Sequence, residues 1–205
     1  MNKESQLVIA HIAEHIQPLD RVDRYEDPVN KALEELKFGQ VTGGGTQFTK
    51  EGEILFGDLE LDLTEPEAAL PILRRLLEEL GAPAGSFFEY TVDGQQQMMP
   101  FGKAECTAIF LDGSSLPPEV YETADINDLA TLLTNDLGQG ELGEIRGSWA
   151  GPRETSILIY GPDAAIIYDA IGDTLRRSPL CQNARVVIRF RHPSGSSDEV
   201  RIPRS

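Results

Sequence analysis

The sequence predicts an α+β fold of two tandem ferredoxin-like (split βαβ) repeats, with antiparallel sheets, helices on one face and an added N-terminal helix. Two observations carry this prediction. Each half of the chain alternates segments of helical and of strand periodicity. Short motifs also recur in the same order, 96 residues apart: Tyr25-Glu26 and Tyr121-Glu122, "EPEAAL" and "GPDAAI", Pro83 and Pro179. Similarity at a fixed spacing is typical of a duplicated unit.

The predicted boundaries place an N-terminal helix and linker at residues 1–22, a first α/β repeat at 23–102 and a second at 103–205. Gly39 and Gly43 recur as Gly143 and Gly147 at a spacing of 104, which requires insertions and deletions in surface loops. The pattern leaves open whether the two copies share one sheet or form two.

The first segment, "ESQLVIAHIAEHI" at residues 4–16, predicts a helix because Val8, Ile12 and Ile16 share a helical face. A strand at residues 6–12 is the alternative, and it would complete the symmetry between the repeats.

The rest of the first repeat predicts a helix, a strand, a helix and a hairpin, at residues 27–38, 53–63, 64–82 and 86–100. Asp27 and Thr64 occupy the expected N-cap positions, and Gly81 ends the second helix. In the strand, leucines alternate with carboxylates, which indicates one buried face.

The second repeat follows the same order. Its strands are predicted at 104–113, 142–149, 154–160 and 184–192, and its helices at 124–138 and 161–178, the first of them capped by Asp125. A turn at 193–197 brings the chain back along residues 198–203.

The composition is strongly acidic. Against 18 Lys and Arg stand 34 Asp and Glu, so the formal net charge is -16. This charge repels nucleic acid and anionic membranes and attracts basic proteins, so we expect no nucleic-acid and no membrane partner. The two cysteines, Cys106 and Cys181, are expected to be free and buried, and the location to be cytoplasmic.

The glycine run Gly43, Gly44 and Gly45 predicts a turn or bulge where the second strand of the repeat begins. A phosphate cradle requires a helix directly after the glycines, and here a strand follows. Because they lack side chains, these glycines leave room for a bound ligand.

Residues 11–15 read H-I-A-E-H, and on a helix His11 and His15 would lie one turn apart, with Glu14 beside them. This motif resembles the H-x-x-E-H helix of the inverted zincin metallopeptidases. The resemblance implies zinc bound by His11 and His15 with Glu14 as the base, and a further Glu ligand much later in the chain, for which Glu89 is the nearest acidic residue.

Two other features are candidate binding surfaces. Asp58, Glu60 and Asp62 line one face of a strand and can hold a basic partner. Trp149, the single tryptophan, is a candidate interface anchor if it is exposed, and packs the hairpin if it is buried.

The leading hypothesis is therefore an acidic, non-enzymatic interaction module without a cofactor that binds a basic partner protein, and by analogy an inhibitor or immunity-like role fits it. A small-ligand-binding regulatory protein, with Gly43–Gly45 near the ligand, is the first alternative. A zinc metallohydrolase that uses the HIAEH segment is the second.

Overall fold

The computed structural model describes residues 5–50, 52–190 and 198–203. The chain divides into two compact units, Met1–Ala104 and Glu105–Ser205. The strands within the described residues form two sheets of five strands each.

The first unit has the chain order of a ferredoxin-like fold with one strand added. Its strands are β1 (Gln6–Ile12), β2 (Gly39–Phe48), β3 (Ile54–Leu63), β4 (Ser86–Val92) and β5 (Gln95–Phe101). Its helices are α1 (Pro18–Arg21), a π-helical turn (Val22–Glu26), α2 (Asp27–Leu36) and α3 (Pro66–Glu79). The spatial order β2-β3-β1-β4 with antiparallel neighbours is that of a split βαβ sheet, and β5 extends it.

The second unit repeats this arrangement. Its strands are β6 (Glu105–Asp112), β7 (Glu144–Ala150), β8 (Glu154–Gly161), β9 (Arg185–Ile188) and β10 (Asp198–Arg201). Its helices are α4 (Pro118–Thr123), α5 (Ile126–Asp136) and α6 (Ala164–Arg177), with short 3-10 turns at Gly138–Gly140 and Pro179–Cys181. The order β7-β8-β6-β9-β10 matches that of the first sheet. The tandem ferredoxin-like fold is therefore confirmed.

The duplicated glycines also correspond in space. A register shift lies between Val41 and Gly43 in β2, and another lies between Ile145 and Gly147 in β7. Both copies thus carry a bulge at the same step of the same strand, where the repeat predicted a turn or bulge.

The start of the chain differs from the predicted helix. Gln6–Ile12 is strand β1, and helical structure in the N-terminal region begins only at Pro18. Val8, Ala10 and Ile12 are fully buried and point away from the face that carries His11. The apolar residues of this segment fit both the helical and the strand periodicity. Pairing with β3 on one side and with β4 on the other selects the strand.

The helices of the first unit cover one face of its sheet. Apolar side chains of α2 and α3 pack against the alternating residues of β1 and β3, and together they form one core: Val8, Ala10, Ile12, Val29, Leu33, Leu59, Leu61, Leu63, Leu70, Leu73 and Leu77. Burying one such aliphatic side chain contributes about 1.5–3 kcal/mol, so this core holds the sheet to its helices.

The second sheet is apolar on both faces. One face packs against α5 and α6 through residues such as Ile109 and Ile159. The other carries a separate cluster of buried side chains: Cys106, Ala108, Phe110, Leu158, Tyr160 and Val187.

Both cysteines are free and buried, as predicted. Burial in the apolar core raises the pKa of Cys181 to about 11, so its thiol stays protonated at neutral pH.

The helix starts agree only in part with the predicted caps. The Asp125 carboxylate accepts from the Asn127 N–H and caps α5 as expected. Asp27 continues a helical run and makes no cap bond, and α3 begins after Glu65 instead of Thr64. The turn expected at 193–197 lies outside the described residues. No helix in the described part of the chain is long and apolar enough to cross a membrane.

Candidate functional site

Most of the predicted site residues lie on the face of the first sheet that points away from the helices, which we call the open face. Cross-strand pairing aligns Gly45, Asp58, His11 and Phe87 in one row across β2, β3, β1 and β4. The next row places Gly43 beside Glu60, Ile9, Glu89 and Met98. Residues distant in sequence thus become neighbours, because directly paired side chains share a face.

His11 lies at the centre of the open face. Its Nδ1 is 2.7 Å from Asp58 Oδ1, and its Nε2 is 3.8 Å from Glu89 Oε2. Its ring centroid lies 4.6 Å from that of Phe87. Gln47 Nε2 donates to Asp58 Oδ2 at 3.0 Å, so Asp58 is held from two sides. The imidazole therefore hydrogen-bonds to Asp58 on one neighbouring strand and lies close to Glu89 on the other.

The strands of this sheet carry several carboxylates but no Lys or Arg to balance them. None of the five strands β1–β5 contains a Lys or an Arg. Asp58, Glu60, Asp62 and Glu89 all point to the open face, as the alternation with leucines predicted. Exposed apolar side chains accompany them, with Leu7 57% and Met98 61% accessible. The open face is thus both acidic and partly apolar.

The glycine run lies inside strand β2 and has ordinary extended backbone, since none of Gly43, Gly44 and Gly45 has a positive φ. A Cβ on Gly44 would lie 2.6 Å from the Asp58 carbonyl oxygen and 2.9 Å from Arg21 Nη2. The buried Arg21 guanidinium donates to the Gly45 carbonyl at 2.5 Å and lies 3.7 Å from Glu26 Oε1. Gly44 is therefore required by the close approach of the Asp58 backbone carbonyl and of the Arg21–Glu26 ion pair, and no phosphate cradle is formed.

The HIAEH segment does not form the helix on which the zinc interpretation depends. His11 is in β1, whereas Glu14 and His15 follow the strand and are buried. Glu14 accepts a hydrogen bond from the Tyr25 hydroxyl, and His15 Nε2 lies 3.3 Å from Glu53 Oε1. The two imidazoles thus contact different carboxylates. Among the described residues there is no group of three His, Cys, Asp or Glu side chains that could hold a metal ion.

Trp149 lies elsewhere, in strand β7 of the second unit, where it lines a cleft of about 750 Å³. One wall is the end of β6, at Asp112, and the loop that follows it, with Ser114 and Ser115. Another is the hairpin between β7 and β8, with Arg153. Residues near the end of β10 complete the cleft. This volume is in the range of small-molecule sites, roughly 300–1,000 Å³.

Asp112 holds the loop after β6, which forms the first wall of the cleft, in position. Its Oδ1 accepts from the N–H groups of Ser114 and Ser115, both at 2.9 Å, and its Oδ2 accepts from the Ser115 hydroxyl and from Asn183 Nδ2 at 3.2 Å. Burial alone would raise the pKa of Asp112, but these four hydrogen bonds outweigh burial and hold the pKa well below its ordinary value. Asp112 is therefore an ionised structural anchor.

The second wall is tied to the first by backbone contacts. The Gly113 N–H donates to the Arg153 carbonyl at 2.8 Å, and a Cβ on Gly113 would lie 3.0 Å from that oxygen. The Trp149 ring packs on Gly151, where a Cβ would lie 2.1 Å from the ring. Glycine at both positions lets the loop, the hairpin and the ring meet.

Sequence reasoning singled out Trp149, with Arg153 flanking it, but missed Asp112 and Ser115. The available signal was "LDGSS" directly after an apolar strand, because Asp followed by Gly and Ser is typical of a turn in which the carboxylate accepts backbone N–H groups. The placement of Arg153 and Asn183 near that turn comes from the tertiary structure alone.

No protein-family model matches the chain, and no curated protein matches its sequence. Among solved structures, the chain is similar to the ligand-free regulatory subunit of aspartate kinase from Thermus thermophilus at 14% identity, with 82% of this chain and 92% of that chain covered and a TM-score of 0.27.

An unknown protein from Galdieria sulphuraria is similar at 11% identity, with coverage of 97% and 99% and a TM-score of 0.27. A putative monooxygenase from Fusobacterium nucleatum is similar at 9% identity over the whole of both chains, with a TM-score of 0.28. None of these likenesses supports a functional assignment, and the fold follows from the strand order itself.

Proposed function

We propose that the protein is a small-ligand-binding regulatory protein and that the cleft of the second unit is its binding site. The observation that carries this proposal is the construction of the cleft. Two backbone-linked loops place Trp149 and Arg153 around a space of about 750 Å³. Concave sites with a few fixed polar groups are where small ligands bind.

The lining residues favour binding over catalysis. Asp112 already accepts four hydrogen bonds, and its low pKa makes it a poor proton donor or acceptor near neutral pH. No His or Cys is among the described residues that line the cleft. We therefore expect the protein to bind and release its ligand without chemical change, as a ligand-binding regulatory protein does.

Trp149 provides a direct test, because it is the only tryptophan of the chain. We would screen a metabolite library by thermal shift and follow each hit by Trp149 fluorescence. A ligand at about 100 times its Kd stabilises the folded state by roughly 2.7 kcal/mol. The proposal requires a hit that raises the Tm and changes the fluorescence. Hits that leave Trp149 unaffected would place the site elsewhere.

The open face of the first sheet favours a second candidate function, the binding of a basic partner protein. The supporting observation is the absence of Lys and Arg from strands β1–β5 together with exposed Leu7 and Met98. Opposite charge would orient the partner and apolar contact would hold it.

This candidate is tested by comparing two double variants of equal charge change. Glu60→Gln/Asp62→Asn alters the open face, and Glu35→Gln/Glu67→Gln alters exposed residues elsewhere in the same unit. We expect salt-sensitive capture of a basic protein by the wild type and by the second variant, but not by the first. Equal capture by both variants would reject the open face as the binding surface.

A further inference from the structure

The charges that line the cleft of the second unit are not equally available to a ligand. Asp112 is saturated by four donors. Glu154 Oε2 lies 3.2 Å from Arg185 Nη2, and Arg201 Nη2 lies 3.2 Å from Glu199 Oε1. The side chain of Arg153 is exposed and has neither an ion pair nor a hydrogen bond within the described part of the chain. Among the described residues that line the cleft, Arg153 thus carries the one positive charge that is free to pair with a ligand.

Trp149 provides a flat apolar surface in the same cleft. Its ring packs on Gly151, so the hairpin backbone fixes its position. An indole ring held in this way needs little further ordering to stack on a planar ligand, and such stacking contributes about 0.5–1.5 kcal/mol beyond the area that it buries. Arg153 lies four residues further along the same hairpin.

From this pairing, and resting on the proposed ligand-binding function, we propose that the cleft takes a small aromatic carboxylate. The planar ring would lie against Trp149, and the carboxylate would pair with the Arg153 guanidinium. A guanidinium matches a carboxylate with two parallel hydrogen bonds.

The net charge of the chain favours a single negative charge on the ligand. At -16, the protein repels anions in general, and one guanidinium can neutralise one charge. A carboxylate carries one negative charge, which Arg153 can neutralise. A phosphate dianion carries two, and the second would remain uncompensated near Glu154.

The test is isothermal titration calorimetry of the protein with a matched probe set. The probes are 2-naphthoate, its neutral counterpart 2-naphthamide, the non-aromatic cyclohexanecarboxylate and naphthyl phosphate. We expect 2-naphthoate to bind at least about tenfold more tightly than each of the others, since an ion-paired hydrogen bond and a stacked ring each contribute on that order.

Two variants assign the effect to named side chains. Arg153→Gln should bring naphthoate and naphthamide to equal affinity, and Trp149→Leu should bring naphthoate and cyclohexanecarboxylate to equal affinity. Arg177→Gln, an exposed arginine on α6, is the matched control and should leave the naphthoate affinity unchanged. Unchanged Tm values show that the variants remain folded.

The outcomes separate this inference from the proposed function. If naphthoate and naphthamide bind the wild type equally, or if Arg153→Gln keeps the preference, recognition of a carboxylate is overturned. If no probe binds but a library compound raises the Tm and alters Trp149 fluorescence, the ligand class is overturned and the proposed function stands. If neither the probes nor the library bind, both are rejected.

Discussion

At the scale of the residue, Gly44 shows how a buried charge constrains a neighbouring strand. The Arg21 guanidinium lies beside Gly44, where it donates to the Gly45 carbonyl and to Thr46 Oγ1. A buried guanidinium is tolerated where its charge is paired. Glu26 Oε1 lies 3.7 Å from Arg21 Nη2, and the Gly45 carbonyl accepts from Nη1, whereas Nε has no hydrogen-bond partner among the described residues. The strand must therefore omit a side chain at Gly44.

We predict that Gly44→Ala destabilises the protein and that Gly45→Ala does not. The new Cβ at residue 44 would lie 2.6 Å from the Asp58 carbonyl oxygen, whereas at residue 45 the nearest atom is 3.9 Å away. Overpacking of this kind costs about 1–3 kcal/mol. Alanine at residue 45 should be neutral or stabilising by up to about 1 kcal/mol, because it restricts the unfolded chain. Urea unfolding of both variants measures the difference, and equal stabilities would contradict the close approach.

A second residue-scale prediction concerns Asp112. Its folded-state pKa lies below its unfolded value of about 3.9, so its contribution to stability is present above that pH and is lost as the pH falls towards the folded pKa. Asp112→Asn should cost about 1–2 kcal/mol at pH 7, because an amide N–H₂ would face the donors Ser115 and Asn183.

The difference between wild type and Asp112→Asn should shrink as the pH falls below about 4. Chemical denaturation at a series of pH values measures this, with the exposed Asp136→Asn as the control, expected within about 0.5 kcal/mol of wild type. A difference that persists unchanged at low pH would mean that Asp112 contributes by packing alone.

At the scale of the element, the two units use one topology with different surfaces. The first sheet leaves an acidic open face, whereas the corresponding face of the second sheet is apolar and buried. Arginines lie over that second face, with the Arg185 guanidinium 3.9 Å from the centroid of the Phe110 ring. The two units thus share their strand order and bulges but differ in the side chains on the sheet face that points away from the helices.

Helix α6 provides the element-scale prediction. Asp163 Oδ1 accepts from the Ala165 N–H at 2.8 Å and from the Ile166 N–H at 3.2 Å. Asp163→Ala leaves both groups without this acceptor and should cost about 1 kcal/mol of stability. Asp169→Ala, on the exposed middle of the same helix, is the control and should be near neutral. Thermal unfolding by circular dichroism compares them, and equal Tm values would argue against the cap.

At the scale of the whole molecule, the net charge of -16 opposes folding through repulsion among carboxylates. Ion pairs such as that of Arg75 with Glu79 and that of Arg176 with Asp173 lie on the surface and contribute little individually. Raising the ionic strength from about 10 to 150 mM shortens the Debye length from roughly 30 to 8 Å, so repulsion should weaken more than local pairs do.

We therefore predict that the Tm rises with sodium chloride over this range. Sucrose at equal osmolality serves as the control for general solute effects. A Tm that falls with salt would show that attractive ion pairs outweigh the repulsion.

The sequence alone determined the properties that depend on near neighbours. The acidic charge, the alternating leucines of β3, the Asp125 cap and the duplicated order of elements are all local or cumulative, so composition and periodicity reveal them.

The tertiary structure decided the features that depend on distant pairing. Residues 6–12 fit both a helix and a strand, and only the flanking strands β3 and β4 select between them. The need for Gly44 arises from the Asp58 carbonyl and from Arg21, and the cleft joins Asp112, Arg153 and Asn183 from three separate segments. Such contacts form when folding brings distant backbone together, and no local pattern records them.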